Sequence, residues 1–599
     1  MTGAEPRFAR ALALEDAGKP EEALAEYRRL LVLDPAHADA RHNLGLLLAR
    51  LGRLDEAEQS HRDYLGAHPS STRAASDLAD VLLARSDYQG VVQVLEGMTD
   101  PTTSVRRGVA LSCLRRFDEA RETFRSARAA NPQEVARFAG RIAPGADLET
   151  LLSPENIFIS RRYMATSECD WSGWDEYVAE VRRAAERPEI ALEAAVLFMA
   201  FHLPLGAEER HAIARHIAAR VEAKYPTLPA TGSRRGSRIR VGVLSPDFRE
   251  HVDAYLLLPL FELLDRIRFD VHAYSLTPDD GSAIRARVRA AADGFHDLHM
   301  LSDEQAAKAI RHDDVDILLD VAGHTAGGRF AITAQRPARV QASYLGFLGS
   351  LGSQRVDFAL VDRVAAPSSA EWTESLIHLP HTFFLYDFRS PAPQAQAMRR
   401  DYGLPEHSFV YCAFHKAEKI GPDSFALWME ILRRVPHSVL WLRALPDSAI
   451  RNLGAHAAAA GVEPERLFFA PFERGAPYIA RHVLGDLMLD ALHHNAVTSA
   501  CDALAAGLPV LTLRGTTMAS RACESLLRAA GLPELVAADR GAFVESAVRL
   551  AAEPGQLETY RKKLQGRSSP LFDTAGRVRE LEDCFQAMLQ VSDQSRSRL

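Results

Sequence analysis

The residues most suited to chemistry sit where apolar runs give way to polar loops. Asn495-Ala-Val-Thr-Ser-Ala-Cys-Asp502 opens a helix with small and hydroxylated residues. Such an opening leaves backbone N–H groups without intrahelical acceptors, and these attract an anion. Thr498 and Ser499 add hydroxyl donors for phosphate. Asp502, about one turn into the helix, can accept from ribose hydroxyls. Plain N-capping by Thr498 or Ser499 explains the same residues without a ligand. Phe414-His-Lys-Ala-Glu-Lys-Ile420 offers Lys419, with Lys416 as a second cation. A fixed cation neutralises the charge that develops on a departing diphosphate. Two solvated surface lysines are the plainer alternative. Upstream, Ser245-Pro-Asp-Phe-Arg-Glu-His251 and Asp320 with Gly323-His324-Thr325 end two further apolar runs. A histidine titrating near pH 7 can take a proton from an acceptor hydroxyl or hold a substrate group. A structural hydrogen bond is the alternative for each.

The elements that must position these residues alternate from Ile239 onward. Strands are expected at Ile239–Leu244, Asp270–Tyr274, Asp316–Val321, Val340–Tyr344 and Phe358–Val361, with helices at Tyr255–Leu264, Ile284–Ala292 and Glu304–His312. A second series begins at Phe409–Phe414 and continues through Val439–Leu442, Leu467–Phe469, Leu487–Leu489 and Val510–Thr512. Helices between consecutive strands imply parallel sheets, and such sheets bind ligands beyond the carboxyl ends of their strands. Two α/β halves facing each other across a cleft form the GT-B architecture of sugar-nucleotide glycosyltransferases. The segment from Phe543 to Leu589 reads as helical, with breaks at Pro554 and Pro570. The tail from Ser592 reads as disordered.

A repeat precedes this region. Gly18-Lys-Pro-Glu-Glu-Ala23 recurs 34 residues on as Gly52-Arg-Leu-Asp-Glu-Ala57, and more weakly as Ser86-Asp-Tyr-Gln-Gly-Val91. Arg116-Phe-Asp-Glu-Ala120 follows after only 29 residues, so the helix pair before it should be shortened. The period is that of tetratricopeptide (TPR) repeats. Glycine permits the turn, alanine lets paired helices approach, and Tyr27 and Phe124 lie four residues beyond the repeat alanines on the same face. Such arrays usually present a surface to a protein or peptide. The expected divisions are 1–134 for the repeats, 135–235 for a helical linker region, 236–395 and 396–570 for the two halves, and 571–599 for a final helix and tail.

With 599 residues, several domains are expected. A net charge of -8 argues against a general nucleic-acid binder. No apolar run reaches the ~18 residues of a membrane span, and the first residues lack the apolar core of a signal peptide. A cytoplasmic protein is the expectation. Six scattered cysteines form no Cys-x-x-Cys pair, and no His-Glu-x-x-His spacing occurs, so no disulfide framework and no metal are expected.

Repeats followed by Asp247-Phe-Arg-x-His251, Gln341-Ala-Ser-Tyr-Leu-Gly-Phe347, Cys412-x-Phe414 with Lys419, Ser438-Val-Leu-Trp441 and the Asn495–Asp502 loop resemble the O-GlcNAc transferase and SPINDLY-like family. The resemblance spans roughly 236–590. It implies an inverting, metal-independent transfer from a nucleotide sugar, UDP-GlcNAc by family default, to Ser or Thr of a protein held by the repeats, with the nucleotide sugar as co-substrate and no other cofactor. By family position His251 lines the active site, Lys419 contacts the diphosphate, Thr498 and Ser499 match two phosphate-binding threonines, and Asp502 matches a ribose-binding aspartate. Gly346 and Gly349 fall in the family's glycine-rich loop. Together with Asp320 and His324 they are assigned to the acceptor or sugar side. The family loop reads Asn-(Gly/Ala)-His-Thr-Thr, whereas Val497 stands at the histidine position here. His493 and His494, just upstream of Asn495, are the candidates to compensate. The loop Phe347-Leu-Gly-Ser350 and Val252, where proline is common, also depart from the pattern. These changes keep other donors open: a CMP-linked nonulosonic acid, as in flagellin glycosyltransferases that the chain also resembles, or GDP-fucose. A catalytically silent TPR scaffold is the remaining alternative.

Overall fold

A computed structural model describes residues 4–142, 148–229, 237–390 and 398–596. The expected boundaries near 235 and 395 fall outside the described residues. Two compact units are present, residues 1–161 with 189–193, and residues 162–188 with 194–599.

The first unit is an array of antiparallel helix pairs: α1 (Ala4–Asp16), α2 (Pro20–Leu33), α3 (Ala38–Arg50), α4 (Leu54–Ala67), α5 (Thr72–Ala84), α6 (Tyr88–Val94), α7 (Pro101–Cys113), α8 (Phe117–Ala130) and α9 (Pro132–Ile142). A single turn, α10 (Leu148–Leu151), and the longer α11 (Pro154–Thr166), which runs past residue 161 into the second unit, follow. The turn between paired helices needs a left-handed residue. Gly18 and Gly52 supply it at φ 69° and 73°, and Ser86 and Arg115 adopt it at 59° and 60°. Ala23, Ala57 and Ala120 are fully buried where helices approach. The 29-residue step falls on α6, which has seven residues against fourteen in α2, α4 and α8.

The second unit opens with α12 (Trp174–Glu186), α13 (Ala195–Ala200) and α14 (Ala207–Lys224). Its first half is built from β1 (Ile239–Ser245), α15 (Val252–Leu263), β2 (Phe269–Ser275), α16 (Ala283–Ala291), β3 (Gly294–Asp297), α17 (Asp303–His312), β4 (Ile317–Asp320), α18 (Phe330–Thr333), β5 (Val340–Ser343), β6 (Phe358–Asp362) and β7 (Ser375–Leu379). These strands form one parallel sheet in the order β3-β2-β1-β4-β5-β6-β7. The second half comprises β8 (Phe409–Ala413), α19 (Pro422–Arg434), β9 (Ser438–Leu442), α20 (Asp447–Ala459), β10 (Leu467–Phe469), α21 (Gly475–Ala480), β11 (Leu487–Leu489), α22 (Thr498–Ala505), β12 (Val510–Leu513), α23 (Met518–Ala529), β13 (Val536–Ala537), α24 (Arg540–Ala552), α25 (Pro554–Gln565) and α26 (Thr574–Arg596). Its sheet, also parallel, runs β10-β9-β8-β11-β12-β13.

In each sheet the strand order reverses beside the first strand, and such a switch point opens a crevice for ligand. The loops there follow β1 and β4 in one half, and β8 and β11 in the other. They carry most of the candidate residues, while Gly346 and Gly349 follow β5. α26 crosses back onto the first half, where Phe585 lies 6.0 Å from Phe269 and the Asp265 amide donates to Glu582 at 2.7 Å. The expectation of disorder from Ser592 is corrected here: α26 runs to Arg596, and Asp593 pairs with Arg339 of the first half. The apolar stripe of Leu581, Phe585 and Met588, all fully buried, carries the helix that far.

Candidate active site

The loop after β11 is shaped from inside by one carboxylate. Asp490 is buried at the end of the strand and accepts from the amides of Ala491 at 2.8 Å and Ala496 at 2.7 Å, and from the Thr512 hydroxyl at 2.6 Å. Burial pushes this carboxyl up to about 6 despite those donors. The Asn495 side chain is spent on the same loop, donating to Ala491 O at 2.8 Å and accepting from the Cys523 amide at 3.2 Å. It therefore fixes the loop rather than offering its amide to a ligand. α22 follows with no side chain capping it, and the Cys501 amide donates to Val497 O at 3.0 Å. The amides of Thr498, Ser499 and Ala500 precede that bond and point out of the helix end.

Lys419 reaches this loop from a short helical turn, Ala417–Lys419, after β8. Its Nζ donates to the Asn495 carbonyl at 3.0 Å. Burial draws the ammonium down to about 8, with Asp490 opposing and Lys416 adding to the fall. It still carries most of its charge at neutral pH. Asp502 lies on α22 and accepts from the Tyr386 hydroxyl at 2.6 Å. Burial raises its carboxyl to about 7. His494 is buried, with Nδ1 3.2 Å from His202 Nε2 and its ring 5.9 Å from both Phe198 and Phe201. Burial, then the charge of Lys419, holds it neutral.

On the first half, His251 caps α15, its Nδ1 accepting from the Asp253 amide at 3.3 Å and lying 3.5 Å from Asp247 Oδ1. In the neutral ring an accepting Nδ1 leaves the proton on Nε2. Burial lowers the His251 pKa, Asp247 resists, and Arg249 and Lys416 add to the fall. Asp253 is pushed up to about 7 by burial and by neighbouring Asp247. Lys416, exposed on the second half, is thus close enough to act on both. Asp247, His251 and Asp253 present one donor atom each within 4.8 Å of one another, a set that could hold a cation. Lys416 opposes that use. Gly346 is required by close approach: a Cβ there would lie 2.6 Å from Val321 O and 3.1 Å from Asp253 Oδ2.

Asp320 and His324 are both buried; the Asp320 carboxylate and His324 Nε2 are engaged by the fold, while His324 Nδ1 has no hydrogen bond among the described residues. Asp320 accepts from the Gly323 amide at 2.8 Å and the Thr333 hydroxyl at 2.7 Å, and His324 Nε2 lies 2.9 Å from Leu351 O. They brace the loop after β4, so any effect on a substrate passes through that loop. A cleft partly open to solvent is lined by Phe201, Arg210, Phe347, Gly349, Glu371 and Thr517, among others from both halves. Arg210 is buried and donates to Thr517 Oγ1 at 2.6 Å and Leu203 O at 3.1 Å. Sequence reading missed Asp490, Tyr386, Asp253, His202 and Arg210, whose contacts join distant segments.

Comparison with known proteins agrees with this fold. The profile of glycosyl transferase family 41 matches residues 169–396 and 389–581, and a tetratricopeptide-repeat profile matches residues 8–72. A probable UDP-N-acetylglucosamine–peptide N-acetylglucosaminyltransferase SEC of Arabidopsis thaliana is 34% identical over 361 residues, covering 59% of this chain and 37% of that protein. A UDP-N-acetylglucosamine–peptide N-acetylglucosaminyltransferase of Caenorhabditis elegans is 24% identical over 548 residues, covering 70% of this chain and 48% of that one. The chain thus spans less than half the length of these relatives. A mutant O-GlcNAc transferase of Thermobaculum terrenum shares the fold, with a TM-score of 0.62 at 24% identity over 99% of this chain and 98% of that one. With both halves of the second unit matched by one profile, the chain belongs to glycosyl transferase family 41.

Proposed function

We propose that this chain transfers a sugar from a nucleotide sugar to a hydroxyl of a protein, with UDP-GlcNAc as the donor suggested by its relatives. The observation that carries the reading is Lys419 beside the uncapped start of α22. A diphosphate there would meet one ammonium, free backbone amides and the hydroxyls of Thr498 and Ser499 together. In the proposed reaction the acceptor oxygen attacks the anomeric carbon in line. The bond from that carbon to the diphosphate oxygen breaks, and the diphosphate leaves with the electron pair. The acceptor proton passes to the His251 imidazole or to Asp253, whose raised pKa suits a base near neutrality. Asp502 would accept from the ribose, sharing its carboxylate with Tyr386. The repeat array would hold the acceptor protein, and the shared chain would raise its effective concentration.

Calorimetric titration with UDP-GlcNAc, UDP, CMP and GDP-fucose tests this reading. UDP binding that weakens in Lys419→Met supports it. Preference for CMP or GDP keeps the reaction and replaces the donor. Absence of binding to every nucleotide overturns it and leaves the repeats as the functional part.

A further inference from the structure

The second helix pair of the array departs from its neighbours at one buried position. Four residues after the repeat alanine, the first pair places Tyr27 and the fourth places Phe124. The Tyr27 hydroxyl is satisfied by Glu15 at 2.6 Å, and Phe124 needs no partner. The equivalent residue on α4 is His61, fully buried, with neither ring nitrogen in a hydrogen bond. The packing is otherwise the same. Gly45 of α3 makes room for the His61 ring as Gly108 of α7 does for Phe124, since a Cβ would come within 2.6 Å and 2.4 Å of the respective rings. An imidazole in an aromatic slot with both nitrogens orphaned is a poor exchange unless something else pairs with them.

What surrounds it is a ligand set. His42 of α3 is also buried, and its Nδ1 lies 3.1 Å from Asp77 Oδ2 of α5. Neither atom forms a hydrogen bond of acceptable geometry, although they are close. His42, His61 and Asp77 each bring one donor atom within 4.8 Å of the others. We propose that these residues bind a divalent transition-metal ion, of which Zn²⁺ best suits two imidazoles and one carboxylate. Water would take a fourth position. Tetrahedral coordination places ligand atoms about 3.3 Å from one another, near the 3.1 Å that already separates His42 Nδ1 from Asp77 Oδ2. Asp77, with its side chain 19% exposed, gives the ion a way in.

Two charges bear on the site. Burial lowers the His61 pKa and so favours the neutral form, which ligates, with His42 adding to the fall and Asp77, Asp80 and the Gly45 backbone opposing it. Arg73 places Nη2 2.6 Å from His42 Nε2. A metal on Nδ1 puts the proton on Nε2, so Arg73 must swing away. It is exposed and free to do so. Arg73 is therefore a competitor, and removing it should tighten binding.

The full chain, stripped with chelator and dialysed, is titrated with Co²⁺ while visible absorption is followed, and then with Zn²⁺. The expected result is one ion per chain, with the visible bands of a four- or five-coordinate site that Zn²⁺ bleaches. His61→Phe restores the side chain used at Phe124 and should fold, yet lose that ion. Asp77→Asn should weaken binding by more than tenfold, and Arg73→Ala should strengthen it about fivefold. Failure to bind Co²⁺ or Zn²⁺ overturns the proposal. So does binding that survives in His61→Phe. Loss of the ion in His251→Ala instead would assign it to the Asp247–His251–Asp253 group and equally overturn it.

Discussion

Replacing Lys419 with methionine removes one charge and keeps the aliphatic stem. A phosphoryl oxygen bound where the start of α22 and Nζ meet would sit about 4 Å from the ammonium, worth roughly 4 kcal/mol per unit charge at an effective dielectric near 20. Nζ must give up part of its bond to Asn495 O. That leaves about 2–4 kcal/mol in the transition state, where the leaving group's charge is greatest. The expected loss in kcat/KM is about thirty- to thousandfold. Stability should move the other way. The folded pKa of Lys419, about 8, lies below its ordinary 10.5. The buried charge therefore costs stability at all pH below about 8, and the cost lifts as pH rises toward 10.5. Lys419→Met escapes that cost and should melt no lower than the parent at pH 7. Bound diphosphate favours the charged lysine, so UDP affinity in the parent should hold below pH 8 and decline above it. The variant should lack this decline. Steady-state transfer kinetics, UDP titrations from pH 6.5 to 9.5 and thermal melts test each part. A variant within threefold of the parent in kcat/KM, with the same pH profile, would refute the reasoning.

Asp502→Asn should weaken UDP binding about tenfold yet gain roughly 1–3 kcal/mol of stability at pH 8, because ionising the parent carboxyl above its folded pKa of about 7 costs stability. That gain should fade as pH falls from 7 toward 4; denaturant melts at pH 8 and 5 decide it. Gly346→Ala forces a methyl against Val321 O and Asp253 and should cost about 1–3 kcal/mol with at least a tenfold loss of transfer, read by melting and by kinetics. Phe124→Ala empties a buried slot in the array and should cost about 3–5 kcal/mol in the array's own unfolding, followed by circular dichroism. Donor binding by the second unit should be unchanged in that variant.

The sequence made the strands and repeats legible because each has a period of its own. Runs such as Ile317–Asp320 and Val510–Leu513 are wholly or almost wholly buried and read as strands without help. The edge strands Gly294–Asp297 and Ser375–Leu379 were not foreseen. They are short and half exposed, so their apolar pattern is weak. At the candidate site, the positions of Lys419, Thr498, Ser499 and His251 could be read because each ends a strand or opens a helix. Asp320, His324 and Asn495 share that placement, yet their side chains face into the fold. Loop position alone cannot distinguish a residue that meets a ligand from one that braces the loop. The contacts of Tyr386 with Asp502 and of Arg210 with Thr517 join residues 116 and 307 positions apart, beyond the reach of any local spacing.

The return of α26 to the first half bears on the order of synthesis. Glu582 completes a contact with Asp265, 317 residues earlier in the chain. At about 5–20 residues per second, the ribosome delivers this wall some 15–60 s after the surface it covers. Until then, the patch around Phe269 that receives Phe585 stays open to solvent and to chaperones. The nascent first half can form its sheet early, but it cannot finish burying its apolar surface until α26 has left the exit tunnel.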